Sequence, residues 1–401
     1  MQINGLDPIN TPRANTAMRT AFWTRTKSWI WPKLCGSYTS DREVEPHGFT
    51  GSVPGLTEFA QGLAEVETPQ FGFQIPNLLF KNLVPVRRRE LEFDQTRSVV
   101  SKAAQVGNRI AEFPEHLFAA RLLTADNPLS ATVKYEGQTY QQTFDGQPLF
   151  SKTHDTIGGG TQSNVIKGSL PKTIALLNAQ SWADSAEQMQ ADISAVIATA
   201  QGIRDTSNMP LFPGLDMGEN LVVVVPPCLR AIAALAFKTG PNSVINQTTN
   251  IAPMFVKDVI STGFLGGSIP SPLTAFNGTI SAANQTDYYV FVTHDQVKPF
   301  YHQMYRPLRK EDEAPPEGGG NADVAGINGG IIPEAAAMFA SSILETTFSN
   351  QGASATEDTI TKERYLISAR WRGNMAYGIW FTAYVVKPVD GLLYVDGPDA
   401  F

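Results

Sequence analysis

The longest pattern of apolar positions in the chain predicts a helix of about six turns that begins near residue 98. Apolar residues recur at steps of three and four, which places them on one face of a helix. They are Val99, Ala103, Val106, Ile110, Phe113, Leu117 and Ala120. Pro114 predicts a kink or a division into two nearly coaxial pieces, although the stripe continues in phase beyond it. Asp94 or Thr96 is the expected N-cap, and Asn127-Pro128 closes the segment.

Alternating patterns before this helix predict two strands. Phe71, Phe73 and Ile75 alternate with small or polar residues, and a second alternation spans residues 89–93. The apolar run "PNLLFKNLVPVRR" between them has no obvious partner nearby in the sequence, so a long two-stranded arm is expected. Because an isolated two-stranded arm is marginal in water, it either folds onto its own domain or lies on another molecule.

Further along the chain, helical and strand patterns are interspersed. Ser181 is the expected N-cap of a helix with an apolar stripe at Trp182, Ala186, Met189, Ile193, Val196, Ala200 and Ile203. Two short strands are expected around Glu136-Gly137, and a buried strand over 221–225 should turn at Pro226-Pro227 into a short helix. Other expected elements are strands over 287–293, 299–306, 365–371 and 380–386, a helix over 334–348, and breaks at the glycine-rich segments near 155–164 and 314–330. The fold class is therefore α+β without an internal repeat.

Composition narrows the possible functions. The 401 residues are 42% hydrophobic and 17% charged, which is enough for a sizeable core. Lysine and arginine total 31 against 38 acidic residues, so the formal charge of −7 provides no global attraction for nucleic acid. Cys35 and Cys228 form neither a metal-spaced pair nor a disulfide framework. Neither a leader pattern nor an apolar stretch of membrane-spanning length is present, so a soluble protein is expected.

Residues 1–55 are rich in proline, threonine and glycine, and they are expected to form an extended segment poor in helix. The segment nevertheless contains Trp23, Trp29 and Trp31, half of the six tryptophans in the chain. Tryptophans in such a segment usually pack on a surface. That surface is either the same domain or a neighbouring molecule.

The sequence lacks catalytic signatures. It contains no nucleophile elbow, phosphate-binding loop, dinucleotide-binding glycine pattern or zinc-protease motif, and its five histidines never fall at metal-ligand spacing. His154-Asp155 and His294-Asp295 are adjacent on extended chain, so their side chains should point to opposite faces and not form dyads. No enzyme activity, cofactor or metal is expected.

Several segments together resemble the major head subunit of Mu-like phages, the gpT-like major capsid proteins. They are "LTEF", "RRRELEFDQTRSV", "EFPEHL", "TFDGQPLFSKTH", "LVVVVPP" and "RWRGNMAYGIWFTAYV", in the same order, spread from about residue 56 to residue 387. The resemblance implies the Hong Kong 97-type capsid fold. That fold has an N-terminal arm, an extended hairpin loop, a peripheral domain with a long spine helix, and an axial domain.

By this resemblance, residues 1–55 are the arm and 56–180 the peripheral domain, with the extended loop at 68–96 and the spine helix at 97–124. Residues 181–360 are the axial domain, and 361–401 return to the peripheral domain. The arm and the loop are expected to contact neighbouring subunits. The residues expected to make these contacts are Trp23, Trp29, Trp31, Phe80, Arg87, Arg88, Arg89, Glu90 and Glu92.

The resemblance also implies partners. The expected function is a major capsid protein that assembles into pentamers and hexamers of an icosahedral phage head. Such a head encloses double-stranded DNA without sequence preference, and it is assembled in the host cytoplasm. No charged heptad segment precedes the arm, so a separate scaffold protein is expected, together with a portal protein and a possible decoration protein. The alternative is an encapsulin-like shell of a bacterial nanocompartment, which would carry a site for a cargo peptide.

Overall fold

Helices and runs of strands are interspersed along the chain, as the sequence patterns predicted. The computed structural model describes residues 10–26, 29–50, 70–87, 98–155, 160–204, 209–211, 221–237, 256–293, 298–305 and 364–388. The α-helices in these ranges are α1 Asn10–Thr26, α2 Ser98–Leu123, α3 Ile174–Ala179, α4 Trp182–Gly202 and α5 Arg230–Phe237. The α+β class is confirmed for this part of the chain.

The strands form two main sheets and several two-stranded pairs. In chain order they are β1 Cys35–Ser40, β2 Val44–Thr50, β3 Gln70–Pro76, β4 Leu78–Arg87, β5 Thr132–Tyr135, β6 Gln138–Gln141, β7 His154–Asp155, β8 Thr161–Gln162, β9 Val165–Gly168, β10 Leu221–Val225, β11 Val256–Ser261, β12 Ile269–Pro270, β13 Thr279–Ile280, β14 Tyr288–Val292, β15 Phe300–Tyr305, β16 Arg364–Tyr377 and β17 Ala383–Pro388. One sheet has the order β1-β15-β16-β4, and the other has the order β11-β10-β14-β17-β9. Strands β2 and β3 form a separate antiparallel pair, the β2–β3 ribbon.

Helix α2 is the predicted spine helix, and its bounds agree with the pattern to within one residue. The predicted stripe is its buried face: Val99, Ala103, Ile110, Leu117 and Ala120 are all buried, while Phe113 is half-buried. Pro114 lies inside the helix and does not divide it. The proline leaves only the carbonyl of Ile110 without its usual helical donor, so the helix continues on either side.

The five-stranded sheet carries a second part of the core. Every residue of β10 and β14 is buried, which requires cover on both faces and explains their uninterrupted apolar sequences. Helix α4 begins at its predicted cap, where the Ser181 hydroxyl accepts a hydrogen bond from the Asp184 amide at 3.1 Å. Its stripe from Ala186 to Ala200 is buried. Trp182 is the exception, because its side chain is 62% exposed and does not join the stripe.

The first 55 residues differ from the expected extended arm. Residues 10–26 form helix α1, and this helix packs along α2. Its buried face consists of Met18, Phe22 and Trp23. The expectation of a helix-poor segment was therefore wrong, because packing against α2 stabilises a helix whose own sequence has no clear apolar stripe.

The first of the two predicted strands is β3, and the apolar run that follows it forms strand β4. Strand β3 pairs with β2, in the register Val44↔Pro76 to Thr50↔Gln70. Strand β4 pairs with β16, far away in the sequence, from Leu78↔Gly373 to Arg87↔Arg364. The second predicted strand, residues 89–93, lies outside the described residues, so its pairing in a two-stranded arm stays a prediction.

Strand pairing crosses the segment boundaries expected from the resemblance. Strands β9 and β17 lie outside residues 181–360, yet both belong to the five-stranded sheet. Strand β15 lies inside that range and pairs with β1 and β16 of the other sheet. The last predicted strand begins at Ala383, since Trp380–Thr382 form a 3-10 turn. The helix predicted over 334–348 and the break over 314–330 lie outside the described residues.

Candidate assembly surfaces

Helix α1 and residues 29–31 are held on α2 by close backbone contact and by polar anchors. A Cβ atom at Gly107 of α2 would lie 2.2 Å from the carbonyl oxygen of Met18, so the two helices touch at a point that only glycine permits. Four residues along, Trp29 donates its indole N–H to the Ala111 carbonyl at 2.7 Å. The Glu115 carboxylate accepts hydrogen bonds from the amides of Ile30 and Trp31. Burial raises the pKa of Glu115, and these hydrogen bonds oppose that rise.

The tryptophans expected to contact a neighbour pack within their own subunit in this structure. Trp23 and Trp31 are buried, and Trp29 is half-buried. Trp31 lies 4.3 Å from the His302 ring, which stacks at 5.7 Å on Trp371. Of the two surfaces that the sequence left open for these tryptophans, the structure shows packing on the same domain. Contact of these tryptophans with another subunit stays a prediction.

Phe80 ends the same series of rings. It stacks on Trp371 at 5.4 Å and lies 4.9 Å from Phe113 of the spine helix. The series therefore connects the arm to β4 through β15 and β16. Burial lowers the pKa of His302 to about 3, so its ring is neutral inside the series.

Of the five charged residues expected at the interface, only Arg87 lies within the described residues. Arg87 is the last residue of β4, where its backbone pairs with Arg364. Arg88, Arg89, Glu90 and Glu92 lie outside the described residues. Their role in contacts between subunits stays a prediction.

The β2–β3 ribbon lies with one face on the four-stranded sheet. Phe73 and Ile75 are buried against Ala376 of β16 and Tyr301 of β15. His47 packs between the rings of Phe73 and Tyr301, at 5.6 and 5.3 Å. The alternate residues Gly72 and Gln74 are exposed. The ribbon therefore presents one covered and one open face, in agreement with the alternation in its sequence.

A buried polar cluster at the base of the ribbon was missed in the sequence. Gln303 and Asn374 are directly opposite on β15 and β16, and both are 0% exposed. Gln303 donates to the Ile75 carbonyl and Asn374 to the Pro76 carbonyl, at 3.0 and 2.9 Å. Arg121 from the end of the spine helix donates to the Asn374 side-chain oxygen at 2.8 Å. Asn374 lies in the segment "RWRGNMAYG", which belongs to the resemblance to Mu-like head subunits. That resemblance was the one feature of the sequence that could have drawn attention to this residue.

Exposed large apolar side chains concentrate at the corner between α3 and α4. Ile174, Leu176 and Trp182 are all exposed there within nine residues of chain. Leu79 on β4 is a further exposed residue of this kind. Exposed aromatic residues of this type are frequent among those that dominate protein interfaces.

The histidine examined for catalysis is a structural element of the core. His154 does not pair with its neighbour Asp155; its Nδ1 lies 2.6 Å from the Asp145 carboxylate. Its Nε2 lies 3.1 Å from the Leu149 carbonyl, and its ring stacks on Trp380 at 4.4 Å. The side chains of His154 and Asp145 are 0% and 1% exposed, so a substrate has no access to the pair. It fastens the segment from Phe144 to His154 onto the core.

The described part of the chain has neither a membrane-spanning helix nor a metal-binding cluster. No helix there is both long and apolar enough to cross a bilayer. No group of three or more histidine, cysteine, aspartate or glutamate side chains within the same ranges could hold a metal ion.

Several solved structures are similar to the chain at low sequence identity. The capsid of bacteriophage JBD30 has a TM-score of 0.43 and 15% identity, covering 59% of this chain and 90% of that one. The mature capsid of bacteriophage PhiM1 has a TM-score of 0.45 and 11% identity, covering 89% and 85%. A virus-like particle from Pyrococcus furiosus has a TM-score of 0.40 and 10% identity, covering 92% and 98%. No curated protein matches the chain.

One family model matches the chain, and it covers the arm helix, the ribbon and the spine helix. It is the model of the Mu-like prophage major head subunit gpT, matched over residues 13–183. The matched residues include the two most specific segments of the resemblance, from Glu90 to Leu117 and from Phe144 to His154. Over residues 13–183 the chain therefore matches the family of Mu-like major head subunits that its sequence resembles.

Proposed function

We propose that the chain is a major capsid protein that assembles through copies of itself into pentamers and hexamers of an icosahedral phage head. The observation that supports this most strongly is the family match over residues 13–183. The matched residues include α1, the β2–β3 ribbon and α2, which correspond to the arm, extended loop and spine helix of the Hong Kong 97-type fold. A shell built in this way places the protein in the virion capsid, with assembly in the host cytoplasm.

The two main sheets support the proposed domain assignment. The peripheral domain is built on α2 and the four-stranded sheet, and the axial domain on the five-stranded sheet with α4 and α5. The extended loop is best assigned to β2, β3 and the residues that join them, because those two strands pair with each other. The segment 68–96 expected from the sequence contains only one of these two strands.

Self-association requires two different surfaces on each subunit, because rings of five and six close through head-to-tail contacts. The open face of the ribbon and the corner with Ile174, Leu176 and Trp182 are exposed surfaces suited to this. Obligate interfaces of this kind commonly bury more than about 2,000 Å². A separate scaffold protein, a portal protein and a decoration protein complete the proposed set of protein partners.

DNA is the proposed content of the shell, and the subunit is expected to bind it weakly. The formal charge of −7 gives little attraction for phosphates. Many phosphate contacts on the inner wall would slow packing and release, since each adds affinity that rises as salt falls. Titration of unassembled subunit with duplex DNA at physiological salt should give dissociation constants no tighter than the roughly 10⁻⁴ to 10⁻⁶ M of non-specific binders. Submicromolar, sequence-selective binding would contradict this.

The assembly proposal is tested on the purified full-length chain. Mass photometry and electron microscopy over a range of protein concentrations should show rings and closed particles, with and without added scaffold protein. A monomer that persists at high concentration under all these conditions would refute the proposal. Particles that enclose a protein cargo and no DNA in infected or expressing cells would instead indicate a nanocompartment shell.

A further inference from the structure

We propose that Gln303, Asn374 and Arg121 form a clamp that fixes the orientation of the β2–β3 ribbon on the subunit, and thereby sets how the ribbon meets a second copy of the chain. This inference rests on the proposed function for its consequence in the shell. The clamp itself is a property of the single subunit. Its members act as positioning residues, since they hold the base of the ribbon and leave its outer face free.

The first component is a pair of amides that bind consecutive carbonyls of the ribbon. Gln303 and Asn374 are register partners in the antiparallel pair β15–β16, so their side chains lie side by side on one face of the sheet. They donate to the carbonyls of Ile75 and Pro76, the last two residues of β3. Because each amide reaches a defined carbonyl, sliding the ribbon by one residue would break both hydrogen bonds. The clamp therefore specifies the register of the ribbon on the sheet.

The second component ties both strands of the ribbon to the same amides. The Gln303 side-chain oxygen lies 2.7 Å from Nε2 of His47 on β2, and because an amide oxygen can only accept, His47 donates this hydrogen bond. Gln303 also donates to the side-chain oxygen of Asn77 at 3.0 Å. Asn77 in turn donates to the Arg42 carbonyl at 2.7 Å, next to the start of β2. Neither strand can turn on the sheet without breaking part of this network.

The third component is a buried cation that depends on the clamp. Arg121 is 2% exposed, and its acceptors in the described residues are neutral: Gln142 at 3.2 Å and Asn374 at 2.8 Å. The Tyr377 ring lies 5.8 Å from its guanidinium carbon, and Nε has no hydrogen-bond partner there. A buried charge without these acceptors is strongly unfavourable. A movement of Asn374 away from its position would thus remove an acceptor from Arg121, which couples the ribbon to the end of the spine helix.

A small rotation of the ribbon at its base produces a larger displacement at its far end. Its seven paired residues span about 24 Å at roughly 3.4 Å per residue. A rotation of about 10° at the clamp would therefore move the far end of the ribbon by about 4 Å. A displacement of this size exceeds the length of a hydrogen bond, so it would break specific contacts with a second subunit. Loss of the clamp should consequently disturb contacts between subunits more than it disturbs the folded subunit.

The test compares Gln303→Met with the matched control Gln190→Met. Both glutamines are buried, and both donate an amide hydrogen bond to a backbone carbonyl, Gln190 to Ala236 at 2.7 Å. The control lies between α4 and α5, away from the ribbon. Hydrogen exchange of unassembled subunit is measured over residues 44–50 and 70–76, and particle diameters are measured by electron microscopy. Asn374→Ser provides a second clamp variant, and Gln303→Asn replaces Gln303→Met if that variant does not fold.

For the clamp variants, amide exchange in the two ribbon strands should rise by about tenfold or more, since one lost buried hydrogen bond corresponds to roughly tenfold and Gln303→Met loses three. Their particles should be fewer or should vary in diameter. The control should leave ribbon exchange and diameters unchanged even if its melting temperature falls equally. Ribbon exchange that is equal in clamp and control variants would overturn the proposal. If wild-type subunits form no particles, the proposed function fails, while the exchange measurement still decides on the clamp.

Discussion

Replacing Gly107 by alanine should destabilise the subunit, although the same change usually stabilises a helix. Alanine in a helix interior is favoured over glycine by about 1 kcal/mol. At position 107, however, the added Cβ would lie 2.2 Å from the carbonyl oxygen of Met18, whereas ordinary contact begins at 3.4 Å. Helix α1 would have to move away by about 1.2 Å, and this oxygen belongs to the backbone and cannot rotate aside. The sign of the effect therefore depends on whether α1 packs on α2 in solution.

The magnitude follows from what the movement disturbs. Overpacking of a well-packed contact costs roughly 1–3 kcal/mol, so the net loss after the gain in helix propensity should be up to about 2 kcal/mol, near the upper end because the clash is with backbone. The upper limit is full release of α1. That would expose Met18, Phe22 and Trp23, each worth about 1.5–3 kcal/mol of burial.

The assay uses Gly202→Ala as the matched control. Gly202 ends helix α4, and a Cβ placed there would meet no atom within 4 Å. Thermal unfolding of unassembled subunit should show a lower melting temperature for Gly107→Ala and an equal or higher one for Gly202→Ala. Trypsin should also cleave at Arg25 faster in Gly107→Ala than in the control. A Gly107→Ala subunit at least as stable as wild type would refute the packing of α1 on α2.

Three further predictions concern assembly and pH. Replacing Arg87–Arg89 together by alanine should leave circular dichroism unchanged but lower particle yield, because one exposed ion pair contributes only about 0–1 kcal/mol while the triple change is repeated around every ring. Wild-type yield would argue against this role. Trp182→Ser should change stability by less than about 0.5 kcal/mol, since the side chain is exposed, yet reduce particle yield several-fold in the same microscopy assay. Burial lowers the pKa of His302 to about 3, below the ordinary value of about 6.5. Between these two values the unfolded chain binds more protons than the folded chain, so the free energy of unfolding decreases as the pH is lowered. Between pH 7.5 and pH 5 the loss should be about 2 kcal/mol, and His302→Phe should lack this part of the pH dependence in urea titrations.

Sequence patterns predicted well those elements that are determined by residues close together in the chain. The spine helix was predicted because its stripe repeats every three to four residues over six turns, and the helix after Ser181 because its cap and stripe lie within a few residues of each other. Strands β10 and β14 were predicted from short apolar runs, which are typical of strands buried on both faces. In each of these elements the pattern and the burial agree.

The elements that were missed depend on distant contacts. Helix α1 has no strong stripe of its own, and its fold depends on α2, about 80 residues further along the chain. The partner of β4 is β16, so no nearby pattern could show that the apolar run from Leu78 to Arg87 is one strand of a four-stranded sheet. Trp182 was assigned to the buried stripe because it fits the period, yet it precedes the part of α4 that packs on the sheet.

The polar residues of the clamp were missed for a further reason. Alternation of apolar and polar residues normally places the polar ones in solvent, so Gln303 and Asn374 had no reason to be assigned to the interior. Their burial becomes intelligible only when a second layer, the β2–β3 ribbon, covers that face of the sheet and supplies carbonyl acceptors. Buried amides of this kind are found where one arrangement of two layers must be specified over others.

The spine helix is the common support of the surfaces proposed for assembly. Near its middle, Gly107 and Ala111 hold the arm helix and Trp29, and near its end Arg121 supports the clamp under the ribbon. Gly107 and Arg121 are 14 residues apart on this helix, about 21 Å at 1.5 Å per residue, so the helix fixes the distance between these two attachment points. Because Pro114 lies between them and the helix remains continuous, a change of bend there would alter the relative direction of arm and ribbon without changing either attachment. The geometry of a shell built from this subunit should therefore respond to substitutions at the arm contact and at the clamp in the same way, since both act through one helix.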